Sequence, residues 1–284
     1  MPRPYDVTFR IAQRLDEAGI ATPGVDARLL LAHALGCDLT DMMMRPSMTD
    51  EELGRAEQLA ERRALGVPVQ HLTGVAYFRY EELGVGPGVF IPRPETEELV
   101  GWALATLALR PVGSRRVVEL CAGSGAISRS IARELGGVEV HAVELSDDAL
   151  PYLRRNLAGC GVEVVHGDMA GAFPELNGTV DLVIANPPYV PEGQLPWLPV
   201  EVRDHDPHLA LFSGEDGLDA VRVVLQVADR LLAPTGWVGV EHDESQSGEV
   251  VRLLEEGGYQ NVTDRPDLAG RPRFVTGQRP SEAR

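Results

Sequence analysis

Lysine is missing from this chain altogether: its 26 Lys plus Arg positions are all arginine, against 43 Asp and Glu, for a formal charge of −17. Grip on a nucleic-acid backbone comes from clustered basic side chains that displace counterions. So acidic a chain points to a protein or small-molecule partner, and no direct nucleic-acid contact is expected. Cysteine is scarce too. Cys37, Cys121 and Cys160 are far apart, odd in number and outside any metal-ligand spacing, which argues against a disulfide framework or a zinc knuckle and for reduced thiols without a metal. No apolar run approaches the ~20 residues of a membrane-spanning helix. The opening Met1-Pro2-Arg3-Pro4-Tyr5-Asp6 lacks the basic-then-apolar layout of a secretory leader. A cytoplasmic protein with no membrane partner is expected. Hydrophobic residues make up 44% of the 284 positions, enough for a buried core and for more than one ordinary domain.

The pattern of what is present divides the chain at about residues 75 and 94. Residues 1–75 read as a small all-helical domain. Val7, Ile11, Ala12, Leu15 and Ala18 recur at helical spacing before Gly19, Asp26–Leu35 forms a second apolar helix closed by Gly36, and Thr49 with Glu52 has capping-box spacing for a third. Residues 76–94 are dense in turn chemistry, including Gly84-Val85-Gly86-Pro87-Gly88 and Ile91-Pro92-Arg93-Pro94, and read as a β-hairpin linker. Residues 95–284 open with a helix and then alternate strands (around 117–120, 138–143, 162–165, 180–185, 237–241) with helices (around 126–135, after a Ser146 cap, 217–232, 248–256). This alternation predicts an α/β fold, a Rossmann-like parallel sheet wound on both faces.

The first strand of that sheet runs into Glu119-Leu120-Cys121-Ala122-Gly123-Ser124-Gly125 and then a helix. Small residues there admit a ligand close to the backbone, and a new helix offers unpaired N–H groups to it. A plain strand–helix turn would use the same glycines. Glu144 ends the next strand about 20 residues on, the place for an acid that accepts ribose hydroxyls, although a surface carboxylate would look no different in sequence. The dinucleotide fingerprint wants Gly or Ala where this chain has Ser128. Glu119 beside the turn repels phosphate yet suits an amino group. A cofactor with a ribose and an ammonium but no phosphate fits better, namely S-adenosylmethionine. Asp168 can accept from an adenine amine and Met169 can cover the ring. A loop Asp that caps the next turn is the competing reading.

Val180–Ala185 is an apolar strand, and Asn186-Pro187-Pro188-Tyr189 follows it, at the strand end where open α/β sheets bind ligands. The Asn186 side-chain oxygen and the Pro187 carbonyl make a pair of acceptors for an NH₂ group, and Tyr189 offers a face on which a flat group can stack. An amide or arylamine nitrogen is a poor nucleophile because its lone pair is delocalised. Two acceptors on its hydrogens orient that lone pair and favour the positive charge that develops on it. Catalytic residues Asn186, Pro187 and Tyr189 follow, with substrate held by residues 186–189; a simple strand-ending turn is the structural alternative.

Together these residues resemble the HemK/PrmC family of N5-glutamine methyltransferases. Phe90–Val100 is similar to the family's linker signature, Pro68–Gly74 to the stretch ahead of it, and Glu241-His242, Gly257-Gly258-Tyr259 and Arg271–Gly277 to its last elements, so the resemblance covers nearly the whole chain. It implies methyl transfer from S-adenosylmethionine to the side-chain N5 of the glutamine in the Gly-Gly-Gln motif of class 1 peptide chain release factors, leaving S-adenosylhomocysteine. It further implies that residues 1–75 help to bind the release factor. Cofactor contacts implied on the motif are Cys121, Ala122, Gly123, Ser124, Gly125, Glu144, Met169 and Asn186, beside Glu119 and Asp168 from the reading above. Cys121 stands where the family usually has Gly, and Met169 where an aromatic residue is frequent.

Two rival enzymes share the four-residue motif. A glutamine methyltransferase for a ribosomal protein usually breaks the linker signature after Pro-Arg, whereas this chain continues Pro92-Arg93-Pro94-Glu95. An N6-adenine DNA methyltransferase needs a basic cleft and a target-recognition domain. Asp204-His205-Asp206-Pro207-His208 looks metal-like but reads more simply as a polar loop; Trp197 reads as a loop-packing residue, with lining of the substrate entrance as the alternative.

Overall fold

The computed structural model describes residues 1–281. Five helices lead: α1 (Pro4–Glu17), α2 (Pro23–Leu35), α3 (Leu39–Met44), α4 (Asp50–Ala64) and α5 (Val69–Thr73). A hairpin of β1 (Val75–Phe78) and β2 (Glu81–Gly84) follows, then α6 (Thr96–Ala108), β3 (Arg115–Leu120), α7 (Ala126–Glu134), β4 (Val138–Glu144), α8 (Leu150–Asn156), β5 (Glu163–His166) and β6 (Val180–Ala185). Two short helices, α9 (Val200–His205) and α10 (His208–Leu211), precede α11 (Asp219–Leu231), β7 (Leu232–Glu241), α12 (Ser247–Glu256), β8 (Gln260–Pro266) and β9 (Pro272–Gln278). The described chain divides into two compact units, one of Met1–Val75 with Leu198–His205, the other of Ala76–Trp197 with the residues from Asp206 onward.

In the helical unit, Val7, Ile11 and Leu15 line the buried stripe of α1, and α2 contributes Leu30 and Leu31 to the same core. The capping box at Thr49 and Glu52 forms and starts α4. One buried polar cluster sits within this packing. Arg63 of α4 donates from Nε to Asp26 Oδ2 at 2.7 Å and from Nη1 to the Val67 carbonyl at 3.1 Å and Glu201 Oε2 at 2.9 Å. The Thr22 hydroxyl donates to the other Asp26 oxygen at 2.9 Å. A segment distant in sequence, Leu198–His205, is thereby held to this unit by a charged pair whose members satisfy each other.

The α/β unit carries a seven-stranded sheet in the order β5-β4-β3-β6-β7-β9-β8. The five strands from β3 to β7 are parallel, and β9 and β8 run antiparallel at one side. Alternate residues of β6 feed opposite faces: Leu182 and Ile184 pack with α6 and α7 side chains, while Val183 and Ala185 pack with those of α11 and α12. The double winding read from the sequence is thus present, but the sheet is mixed, not wholly parallel. No residue of β8 is buried, so it bears no apolar pattern to announce it. The helix expected after Ser146 also starts later. The Ser146 hydroxyl accepts the Ala149 N–H at 3.2 Å, yet α8 begins at Leu150 because Pro151, with no N–H to give, is tolerated only in a first turn.

Strand order reverses at β3, with β4 on one side and β6 on the other; such a switch point opens a crevice at the C-terminal strand ends. The register pairs Leu120 with Ala185, so β3 and β6 end level. Cys121 and Asn186 therefore begin neighbouring loops.

Candidate active site

The loop after β3 is a tight left-handed turn, with φ of 59° at Cys121, 55° at Gly123 and 82° at Gly125. Its two glycines answer different demands. A Cβ on Gly125 would sit 2.8 Å from Leu153 Cδ1 and 3.1 Å from Leu157 Cγ, so this glycine lets the turn pack on α8. A Cβ on Gly123 would meet nothing within 4 Å, so that stretch of backbone faces open space. The Ala122 N–H donates to the Val143 carbonyl at 3.0 Å, and the carbonyl of buried Ser124 accepts from Asn156 Nδ2 at 2.8 Å.

Glu144, buried at the end of β4, accepts the Gly123 N–H on Oε2 and the Ser146 N–H on Oε1, both at 2.7 Å. Each carboxylate oxygen has a second lone-pair site, so the held group still offers two acceptors, the number that neighbouring ribose hydroxyls require. Beyond β5, Asp168 is exposed and its Oδ1 caps the following turn by accepting the Ala170 N–H at 2.9 Å. Met169 beside it is half-buried, its sulfur 3.6 Å from Cys121 Sγ. Glu119 is 1% exposed, and burial pushes its carboxyl up to about 8. Its Oε2 accepts both the Ser128 N–H, at 2.9 Å, and the Ser128 hydroxyl, tying β3 to α7. The set suits S-adenosylmethionine: open backbone at Gly123, paired acceptors on Glu144 where a ribose would lie, and a sulfur-lined surface from Cys121 and Met169.

On the neighbouring strand, Asn186 is half-buried and donates from Nδ2 to Thr96 Oγ1 at 3.2 Å. The Thr96 hydroxyl donates in turn to Glu241 Oε2 at 2.6 Å. Pro187 is buried; Pro188 and Tyr189 are half-buried. The Tyr189 carbonyl accepts from Gln246 Nε2 at 2.9 Å, and the same amide donates to the Asp216 carbonyl at 3.1 Å. A side chain on Gly217 would collide with that carbonyl and with Gln246. The Val190 N–H donates to the Leu211 carbonyl at 2.8 Å and its carbonyl accepts the Ser213 N–H at 3.0 Å, so the loop is pinned along its length. Burial, reinforced by the Glu241 charge, pushes the Tyr189 phenol up, so it stays neutral at working pH.

Several polar residues around the site were not assigned roles from sequence. Thr96, Glu241 and Gln246 converge on the Asn186 loop. Asn156 exchanges two hydrogen bonds with Gly84, each 2.9 Å, while holding Ser124, and so clamps the hairpin to the cofactor turn. Arg93 of the linker pairs with Asp206 at 2.5 Å, and Asp204 pairs with Arg203; two of the metal-like acids thus serve arginines. Trp197 is 85% exposed and does not pack within its loop as its sequence context suggests.

Comparison with known proteins places these features in a wider set. A model described as the PrmC N-terminal domain matches residues 9–74, and one described as a methyltransferase domain matches residues 117–203. A Streptomyces coelicolor protein named release factor glutamine methyltransferase is 48% identical over 268 residues, spanning 94% of this chain and 95% of its own. A Streptomyces pristinaespiralis protein named 4-amino-L-phenylalanine/4-methylamino-L-phenylalanine methyltransferase is 39% identical over 269 residues, 90% of this chain and 91% of its own. Among solved structures, the hMettl16 catalytic domain in complex with the MAT2A 3′UTR hairpin 6 aligns with a TM-score of 0.57 at 15% identity, over 79% of this chain and 82% of that one; this likeness speaks for the fold alone.

Proposed function

Because the chain belongs to the PrmC family of release factor glutamine methyltransferases, we propose that it methylates the side-chain N5 of the glutamine in the Gly-Gly-Gln motif of class 1 peptide chain release factors. S-Adenosylmethionine is the methyl donor and S-adenosylhomocysteine the product. One observation carries the reading of the site: the level ends of β3 and β6, which set the Gly123 turn and the Asn186 loop side by side.

S-Adenosylmethionine, when bound, supplies an electrophilic methyl group on a sulfonium. Glu144 receives the ribose hydroxyls, the Cys121–Gly125 backbone borders the methionine portion with Glu119 near its amine, and Asp168 and Met169 attend the adenine. Asn186 Oδ1 and the Pro187 carbonyl accept the two amide hydrogens, and Tyr189 covers one face of the planar group. As the nitrogen gains the methyl it becomes cationic, so both acceptors bind the transition state more strongly than the ground state. One N–H proton then passes to solvent water, since the cation is very acidic, and no prior base is required. Residues 1–75 serve as the release-factor-binding domain, 76–94 as a linker and 95–284 as the catalytic domain of a cytoplasmic enzyme. Among the described residues no helix is long and apolar enough to cross a membrane.

The S. pristinaespiralis relative favours a second reading, an arylamine acceptor, since the same two acceptors would hold an aromatic NH₂. The match of residues 9–74 to the PrmC N-terminal domain supports the protein substrate. The test is incubation with labelled S-adenosylmethionine and, separately, a purified class 1 release factor, 4-amino-L-phenylalanine and DNA, followed by mass spectrometry of the tryptic peptides. Label on the Gly-Gly-Gln peptide, lost in Asn186→Ala while cofactor binding persists, is the expected result. Label on the amino acid or on DNA alone overturns it.

A further inference from the structure

We infer that Thr96 and Glu241 are positioning residues that set the orientation of the Asn186 amide, holding its NH₂ inward and its oxygen towards the substrate. The inference rests on the amide grip proposed above and explains what keeps that grip facing the right way.

A side-chain amide has nearly the same shape either way round, and only its hydrogen-bond partners decide which end faces where. Here the decision starts at Glu241, 1% exposed at the end of β7. A carboxylate accepts and never donates, so at 2.6 Å the Thr96 hydroxyl gives its one hydrogen to Glu241. What remains on Thr96 Oγ1 is lone pairs. They accept from a donor at 3.2 Å, and of the two ends of Asn186 only the NH₂ can supply one. Reversing the amide would set its oxygen against those lone pairs with no hydrogen between them, a mismatch severe for groups this enclosed. Thr96 is 4% exposed, so water is poorly placed to repair it. Three elements distant in sequence, the start of α6 and the ends of β6 and β7, thus share one chain of donors with a single polarity.

Protonation of Glu241 would undo that polarity. A neutral carboxyl can donate to Thr96, which frees the Thr96 hydrogen to meet an oxygen, and the reversed amide becomes as well satisfied as the working one. Burial pushes the Glu241 carboxyl up to about 7, opposed by the Thr96 hydrogen bond and by Arg273 and Arg93, and assisted by Glu95. Tyr189 also faces it but is held neutral by burial. Arg273 keeps its charge throughout, its own pKa being raised. The sign follows: the ionised, orienting form prevails above pH 7, and kcat falls as pH drops below it.

The experiment uses the full-length enzyme, a class 1 release factor and labelled S-adenosylmethionine, with kcat and KM measured between pH 6 and 8.5. Thr96→Val keeps the shape and loses the hydroxyl; kcat is expected to fall roughly tenfold or more, as for a misplaced reacting group, with a smaller change in KM. Thr96→Ser restores it. Glu241→Gln removes the acid limb of the profile, and Glu95→Gln retains it. Independently of turnover, the Asn186 side-chain NH₂ resonance, identified by its loss in Asn186→Ala, should move with a midpoint near pH 7 in the wild-type protein and stay still in Glu241→Gln. Equal loss in the Val and Ser variants, wild-type kcat in Thr96→Val, or an acid limb surviving in Glu241→Gln overturns the inference and leaves the grip intact. A wild-type enzyme that labels no glutamine overturns the grip itself, while the resonance still reports whether Glu241 governs the amide.

Discussion

Gly123 and Gly125 stand two residues apart in one turn, and alanine should act on them in opposite ways. Both have left-handed φ, 55° and 82°, so each substitution carries a backbone penalty of about 1 kcal/mol. At Gly125 the added methyl also meets Leu153 at 2.8 Å and Leu157 at 3.1 Å, and overpacking of this kind adds about 1–3 kcal/mol. Gly125→Ala should therefore destabilise the α/β unit by about 2–4 kcal/mol, a fall in its melting temperature of roughly 5–15 °C. At Gly123 the methyl meets nothing within 4 Å, and the melting temperature should fall by only a few degrees. That methyl instead enters the space proposed for the cofactor, and an overlap of about 1.4 kcal/mol weakens binding about tenfold. Differential scanning fluorimetry without ligand and calorimetric titration with S-adenosylmethionine separate the two effects. The reasoning is refuted at Gly125 if the variant melts within about a degree of wild type, and at Gly123 if the cofactor Kd is unchanged.

Further consequences follow from the buried charges. Arg63→Met leaves the Asp26 carboxylate, 2% exposed, without its ion partner; urea unfolding of the helical unit, followed by circular dichroism, should show a loss of about 3–5 kcal/mol, and a change under 1 kcal/mol would contradict the role given to the pair. Glu119, pushed up to about 8 by burial, prefers to be protonated in the folded state more than in the unfolded one. Its stabilising effect is therefore full below the ordinary carboxylate pKa and is lost as pH rises through 8. Melting temperatures of the cofactor-free protein from pH 5 to 9 should decline more steeply in wild type than in Glu119→Gln, which cannot ionise; parallel curves would mean that Glu119 does not titrate there.

The sequence by itself determined the parts whose causes are local. The apolar run Val180–Ala185, the Thr49 and Glu52 capping box and the strand–helix alternation depend on neighbours within a turn or two, so they are legible without coordinates. The Asn186–Tyr189 segment could be read as an amide grip because its acceptors are adjacent in the chain. Tertiary structure alone decided the rest. β9 lies between β7 and β8 although it comes last in sequence, because an edge hairpin with an exposed outer strand has no periodicity that fixes its pairing. Leu198–His205 joins the helical unit through Arg63, a partner 138 residues from Glu201. Thr96 reaches Glu241 across 145 residues and Asn186 across 90. A threonine or glutamate in sequence is identical whether it ends up solvated or buried; only the fold that removes water from it makes its hydrogen-bond partner obligatory, and with it the direction in which Asn186 faces.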